Sequence, residues 1–174
     1  MSRAEELKHY IRDIPGFPQA GIIFRDITPL LANEQIFREV VEMMSRDWSA
    51  PPPDLVAAIE ARGFIPGAAI AVKLNAGFVP IRKAGKLPSE TIEESYQLEY
   101  GTDQLQMHAD AVEPGQTVLI VDDVLATGGT AAAAVRLVRQ LGGEVVGVQV
   151  LIELRDLGGR KRLPDVEVVS EIVY

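Results

Sequence analysis

A run of apolar residues that leads into two aspartates and a glycine-rich turn constrains the fold of this chain most. Residues 118–121 read Val-Leu-Ile-Val, as expected for a strand buried on both faces. Asp122 and Asp123 follow, and residues 127–130 read Thr-Gly-Gly-Thr before an alanine-rich helical pattern. Open α/β sheets bind ligands where such strands end and helices begin. The segment therefore predicts an α/β fold with a ligand site at this turn.

The same alternation of strand and helix recurs along the chain. Apolar runs predict strands at 54–59, 78–82, 117–121, 145–154 and 166–173, and a hairpin that pairs Leu98 and Tyr100 with Leu105 and Met107. Helical patterns cover 2–12, a segment capped by Asn33, a segment that ends near Leu74, and 130–141. Residues 83–94 are polar and predict a mobile loop. We expect one domain, residues 1–174, with a mainly parallel central sheet flanked by helices and a small lobe at 1–33.

The turn after the two aspartates has the chemistry of a phosphate site. Unpaired amides at a helix start bind anions, and glycines let the backbone close around them. The carboxylates of Asp122 and Asp123 cannot bind phosphate, but they suit ribose hydroxyls or a metal ion shared with the ligand. A phosphate beside two sugar hydroxyls describes a ribose 5-phosphate. The sequence contains neither the P-loop motif nor the dinucleotide-binding glycine motif.

Composition excludes several classes of function. The 174 residues carry a net charge of −8 and no cysteine, which argues against a nucleic-acid partner and rules out thiolate chemistry. The apolar runs are much shorter than the ~20 residues that cross a bilayer, so no membrane association is expected. The N-terminal residues show no secretion signal. We therefore predict a cytoplasmic location.

The motif resembles the phosphoribosyl pyrophosphate (PRPP) signature of type I phosphoribosyltransferases. Residues 118–130 carry this resemblance. It implies that Asp122 and Asp123 hold the ribose hydroxyls. It also implies that the following loop holds the 5-phosphate through Ala126, Thr127, Gly128, Gly129 and Thr130.

Four other stretches are similar to the adenine phosphoribosyltransferases, in the same order along the chain. They lie at 13–31, 61–64, 79–88 and 96–101. The resemblance implies transfer of phosphoribose from PRPP to adenine, with Mg²⁺ as cofactor held mainly by PRPP, pyrophosphate and water rather than by protein ligands. It also implies an N-terminal hood over the base, a flexible loop near 83–100 that closes over the site, and a homodimer.

The resemblance further implies roles for individual residues. Phe24 would stack on the purine, and main-chain groups of Ile23 and Arg25 would read its edge. Catalysis would involve Glu99, Tyr100 and Arg62, with Glu99 as base or proton shuttle. A non-proline cis peptide is expected near Glu60-Ala61. The pyrophosphate would meet four cations, Arg62, Arg82, Lys83 and Lys86.

Two alternatives stay open. The chain could use another nucleobase, although the hood pattern argues against this. It could also be a PRPP-sensing regulator without catalysis, but such a protein needs a nucleic-acid surface or a partner domain, and an acidic chain without a helix-turn-helix segment offers neither.

Overall fold

The computed structural model describes residues 3–97 and 101–174, which form two β-sheets and the helices around them. A small sheet pairs β1 (Arg12–Pro15) with β2 (Ile23–Asp26) in antiparallel fashion. The large sheet has seven strands in the order β5-β6-β4-β3-β7-β8-β9. Its strands are β3 (Leu55–Ile59), β4 (Gly77–Lys83), β5 (Thr91–Gln97), β6 (Thr102–His108), β7 (Thr117–Leu125), β8 (Glu144–Glu153) and β9 (Val168–Val173).

Five neighbouring strands of the large sheet run parallel to one another, in the order β4-β3-β7-β8-β9. The hairpin of β5 and β6 continues the sheet in antiparallel fashion beside β4. The helices are α1 (Arg3–Lys8), α2 (Thr28–Leu31), α3 (Glu34–Arg46), α4 (Phe64–Leu74) and α5 (Gly129–Gln140). The predicted α/β class with a mainly parallel sheet flanked by helices is confirmed.

Alternating side chains of the central strands build one core on each face of the sheet. On one face Val56 and Leu119 pack with residues of α3 and α4. On the other face Ala57 and Ile120 pack with residues of α5 and of the β5–β6 hairpin. Since both faces are covered, β3 and β7 carry apolar residues at nearly every position, which is why they were recognisable in the sequence.

The amphipathic helix after residue 33 is confirmed as α3. The side-chain oxygen of Asn33 accepts hydrogen bonds from the amides of Gln35 and Ile36, at 3.2 and 3.1 Å. This satisfies two of the donors that a helix start leaves unpaired. The apolar side of α3 then faces the sheet through Ile36, Val40 and Met44.

Three predicted elements need correction. The first helix ends at Lys8, because Arg12–Pro15 pairs with β2 instead. Thr91–Gln97, whose first residues were predicted as loop, form the first arm of the hairpin, and the alternation at Leu98 and Tyr100 lies outside the described residues. β7 continues four residues beyond 121, because its register with β8 extends to Leu125.

None of the helices among residues 3–97 and 101–174 is both long enough and apolar enough to cross a membrane.

Candidate active site

The two adjacent aspartates lie inside the last part of β7. Asp122 lies opposite Val150 of β8, and the ladder continues through Val124 to Leu125. The strand therefore fixes the backbone of both acids, which a loop would not do. Asp123 is buried, with 5 % of its surface exposed.

The environment of Asp122 disfavours a negative charge. Burial, together with the neighbouring charge of Asp123, raises the pKa of the Asp122 carboxyl well above its ordinary 3.8. Oδ1 of Asp122 accepts a hydrogen bond of 2.8 Å from the amide of Asp123. The turn after β3 closes over this carboxylate, since a Cβ atom on Gly63 would lie only 2.8 Å from the same oxygen.

The predicted phosphate loop encloses a small cavity beside the acids. Its volume is about 60 Å³, and the residues that line it include Asp122, Thr127, Gly128 and Thr130. Gly128 precedes α5 with a φ of 81°, a left-handed conformation that glycine adopts without strain. The first amides of α5 have no partner within the helix and lie at the positive end of its dipole. The cavity can therefore accept an anion.

Arg62 connects this acid pair to the N-terminal segment. Its Nε atom lies 2.8 Å from Oδ2 of Asp123. Its guanidinium carbon lies 4.4 Å from the centre of the Phe24 ring, within the range of a cation–π contact. Nη1 also donates to the carbonyl oxygen of Arg25, at 3.5 Å. One side chain thus joins the predicted ribose site to the predicted base site.

The residues predicted to bind the base lie on β2. The half-buried Phe24 ring meets Phe17 edge-to-face, with ring centroids 5.2 Å apart, while 48 % of the Ile23 surface is exposed. The guanidinium of Arg25 instead stacks on Tyr174, 3.8 Å from the ring centroid, and pairs with Asp13. The side chain of Arg25 is therefore engaged outside the site, whereas its carbonyl faces Arg62.

Like Arg62, two more of the predicted pyrophosphate cations are engaged in ion pairs in the free protein. Arg82 donates to Glu60 at 3.0 Å. Lys83 contacts Asp103 and the Tyr96 hydroxyl. Burial opposes the charge of Lys83, but these two hydrogen bonds raise its pKa above the ordinary value.

Glu60 organises this basic segment, and the sequence reasoning gave it no such role. One carboxylate oxygen accepts from the Arg82 side chain and also from the amide of Lys83, at 2.8 Å. Lys86 is exposed, and its carbonyl accepts from Arg82 at 3.0 Å. The sequence signal for this role is the position of Glu60, which directly follows β3 and precedes the turn that carries Arg62. The predicted cis peptide between Glu60 and Ala61 is confirmed.

Two predicted catalytic residues, Glu99 and Tyr100, lie outside the described residues. The segment Gly158–Arg162, for which the sequence predicts no role, packs behind the phosphate loop at Gly128. The adjacent glycines 158 and 159 were its only signal in the sequence.

Comparison with known proteins identifies the family of the chain. The family model of the phosphoribosyl transferase domain matches residues 26–173. An adenine phosphoribosyltransferase of Thermotoga maritima is 61% identical over 169 residues, which is 97% of this chain and 98% of the relative. The chain belongs to the adenine phosphoribosyltransferase family.

Solved structures of the family have the same fold. Adenine phosphoribosyltransferase from Thermoanaerobacter pseudethanolicus superposes with a TM-score of 0.96 at 51% identity, covering 98% of this chain and 99% of that one. The enzyme from Saccharomyces cerevisiae, complexed with D-2,5-dideoxy-2,5-imino-altritol 1,6-bisphosphate and adenine, gives 0.92 at 38% identity, covering 97% and 98%.

Proposed function

We propose that the protein transfers the 5-phosphoribosyl group from PRPP to adenine, giving AMP and pyrophosphate, a reaction of purine salvage. One observation carries this proposal. Asp122, one of the two acids fixed in β7, lines a cavity of about 60 Å³ at the start of α5. Arg62 links its neighbour Asp123 to an aromatic ring on β2. Similarity to adenine phosphoribosyltransferases supports the choice of base.

The sugar phosphate is proposed to bind at the end of β7. The amides and hydroxyls of the loop receive the 5-phosphate, through Ala126, Thr127, Gly128, Gly129 and Thr130. The carboxylates of Asp122 and Asp123 accept hydrogen bonds from the ribose hydroxyls. Because β7 holds both acids rigidly, the reacting carbon is fixed and attack on it becomes nearly unimolecular.

The pyrophosphate is proposed to meet Arg62, Arg82, Lys83 and Lys86. Positive charge at the leaving group stabilises the negative charge that develops as the bond to C1 of the ribose breaks. The pairs of Arg82 with Glu60 and of Lys83 with Asp103 hold these cations in place before substrate arrives. Arg62 is also proposed as catalytic, because it stands between the two substrates.

Adenine is proposed to stack on Phe24 beneath a hood formed by about residues 1–33, a segment of the proposed single domain 1–174. Among the described residues, β2 pairs with β1 along one edge. The main-chain groups of Ile23 and Arg25 on its other edge are proposed to meet the ligand, where the Arg25 carbonyl also accepts the 3.5 Å contact from Arg62. A donor and an acceptor there distinguish a 6-amino from a 6-oxo purine, because a mismatched group stays unpaired on burial. Purine N9 loses a proton overall, and Glu99, with Tyr100 beside it, is proposed to accept it.

Mg²⁺ is proposed as the cofactor, held mainly by PRPP, pyrophosphate and water. In the described ranges no group of three or more His, Cys, Asp or Glu side chains could cage a metal ion. Mg²⁺ commonly keeps several of its water ligands and binds through substrate phosphates, so the proposed binding mode requires no protein cage. When bound, Mg²⁺ neutralises charge on the pyrophosphate.

We further propose a homodimer whose interface includes the outer side of α4. This helix is apolar on both sides, which is typical of a helix covered on both. Ile65 and Val72 expose 43 % and 79 % of their surface, Ala68 lies between them, and Phe78 is 40 % exposed nearby. A second copy of the chain is the expected occupant, as the family resemblance implies.

A cytoplasmic location is proposed because PRPP is a charged sugar phosphate that does not cross membranes unaided.

Product formation from PRPP tests the function directly. Adenine, hypoxanthine and guanine are supplied in parallel, and we expect AMP from adenine with little product from the other two. Preference for another base would establish a different phosphoribosyltransferase. Absence of turnover with every base, combined with PRPP binding and a salt-dependent DNA shift, would establish a regulator.

Two variants test the residue roles. Asp123→Asn is expected to weaken PRPP binding far more than adenine binding, and equal effects would contradict the ribose assignment. Glu99→Gln is expected to lower kcat where chemistry is rate-limiting. An unchanged kcat under that condition would contradict its role in proton transfer.

A further inference from the structure

The phosphate loop packs backbone against backbone on the segment Gly158–Arg162, which we call the backing segment. A Cβ atom on Gly128 would lie 2.3 Å from the carbonyl oxygen of Gly159. A Cβ atom on Gly159 would lie 2.4 Å from the carbonyl oxygen of Ala126 and 3.1 Å from the amide nitrogen of Gly128. The two approaches to carbonyl oxygens, 2.3 and 2.4 Å, are shorter than side-chain carbons tolerate, so the observed contact requires glycine on both sides.

The backing segment is tied to the sheet by Arg160. Its guanidinium donates to both carboxylate oxygens of Glu153, at 2.8 and 2.7 Å, and to the carbonyl of Val168 at 2.6 Å. It also donates to the hydroxyl of Ser170 at 3.1 Å, and that hydroxyl donates to Glu153 at 2.7 Å. Glu153, the last residue of β8, is 5 % exposed. The hydrogen bonds from Arg160 and Ser170 lower the pKa of Glu153, so it is ionised and holds Arg160 at neutral pH.

Hydrogen bonds to two strands of the large sheet therefore anchor the residue next to Gly159. Val168 and Ser170 belong to β9, and Glu153 ends β8. Arg160 directs its donors to these partners and not to the cavity beside Asp122. Gly159 has no side chain that could contact a ligand. Gly159 can therefore influence the ligand through the backbone of the loop against which it packs.

We propose that Gly159 is a positioning residue for the 5-phosphate site, held by the Arg160–Glu153 pair. It sets the path of the loop between Ala126 and Gly128, so that the loop amides converge on the anion without prior rearrangement. This inference rests on the proposed assignment of the 5-phosphate to that loop. A misplacement of about 1 Å in such a site costs on the order of a hundredfold in rate, so a small shift of the loop is measurable.

The test is Gly159→Ala, measured with ribose 5-phosphate by titration calorimetry and with PRPP and adenine in steady-state kinetics. We expect the Kd for ribose 5-phosphate and the KM for PRPP to rise on the order of tenfold or more. The KM for adenine is expected to stay near its wild-type value, because Phe24 lies on a separate sheet.

Gly147→Ala is the matched control. Its Cβ would lie 2.2 Å from the Trp48 ring, a clash as severe as that at Gly159, but Gly147 lies opposite Leu119, several residues before the loop. We expect both variants to lose thermal stability. Only Gly159→Ala should lose affinity for ribose 5-phosphate, and an equal loss in both variants would overturn the proposal.

A second variant keeps the test decisive if Gly159→Ala does not fold. Arg160→Lys keeps the charge that faces Glu153 but removes the two-pronged contact, so we expect a smaller loss of ribose 5-phosphate affinity with adenine KM unchanged. Wild-type affinity in either folded variant would overturn the proposal. If the wild-type protein itself binds no ribose 5-phosphate, the phosphate assignment under the proposed function fails, and the positioning role fails with it.

Discussion

Replacing Asp122 with asparagine is expected to stabilise the free protein and to weaken its binding of PRPP. Desolvation of the carboxyl and the neighbouring charge of Asp123 both raise its pKa. The folded protein therefore binds this proton more tightly than the unfolded chain does, so ionisation at neutral pH costs folding free energy. Asparagine removes that cost and keeps an oxygen for the amide of Asp123.

The size of the effect follows from the same linkage. Each unit by which a folded-state pKa is raised costs about 1.4 kcal/mol at a pH above it. Single stabilising substitutions commonly contribute about 0.5–2 kcal/mol. For a chain of this length, 1 kcal/mol shifts Tm by about 2–4 °C. We therefore expect Asp122→Asn to raise Tm at neutral pH by several degrees.

The assay is thermal unfolding across a pH series, with PRPP affinity measured alongside. The gain in Tm of Asp122→Asn over wild type should be present at neutral pH. It should disappear as the pH falls through the folded pKa towards 3.8, where the wild-type carboxyl is protonated in both states. Asp54→Asn is the control, and it should lower Tm at neutral pH. The amide and hydroxyl of Thr117 donate hydrogen bonds that lower the pKa of Asp54, so its charged form stabilises the folded protein.

An unchanged or lower Tm for Asp122→Asn at neutral pH would refute this reasoning. A gain that persists undiminished under acidic conditions would refute it as well, because the stabilisation would then not come from removal of a buried charge.

Three further predictions concern stability. Asn33→Ala should lower the free energy of unfolding by about 1 kcal/mol in urea titrations, because α3 loses its cap, and KM values should not change. Trp48→Phe should lower the free energy of unfolding by about 1–3 kcal/mol or more, because the buried side-chain oxygen of Gln149 loses the 2.7 Å hydrogen bond that it accepts from Trp48. If Trp48→Phe costs as much in a protein that already carries Gln149→Met, this explanation is contradicted. Glu153→Gln should be less stable than wild type above the ordinary pKa of 4.5, and the difference should vanish as the pH falls through the lowered folded pKa, because the wild-type carboxylate loses its bonds from Arg160 there.

The order of helices and strands was largely readable from the sequence because the elements are strongly patterned. Strands β3 and β7 lie in a sheet covered on both faces, so they read as continuous apolar runs. The end of β7 could not be read in this way. Asp122 and Asp123 look like the residues after a strand, and only the ladder with β8 extends the strand through them to Leu125.

The candidate site was predicted where its residues are adjacent in the chain. The acid pair and the phosphate loop share one short segment, so local spacing describes both. Arg62 was predicted from the resemblance of the chain to the family. Its simultaneous contact with Asp123 and Phe24 could not be predicted from local spacing, because it joins three separate parts of the chain. The pairing of Arg82 with Glu60 was missed for the same reason.

By itself the sequence determined the fold class, and it predicts a phosphate-binding turn for a sugar phosphate, because periodicity and local spacing encode such features over a few residues. Only the tertiary structure decided which charges meet. It paired Arg62 with Asp123 and placed the Gly158–Arg162 segment behind Gly128, about thirty residues away along the chain. Such contacts depend on how β8 and β9 stack beside β7, and a backbone-to-backbone approach leaves no signal in sequence beyond the glycines that permit it.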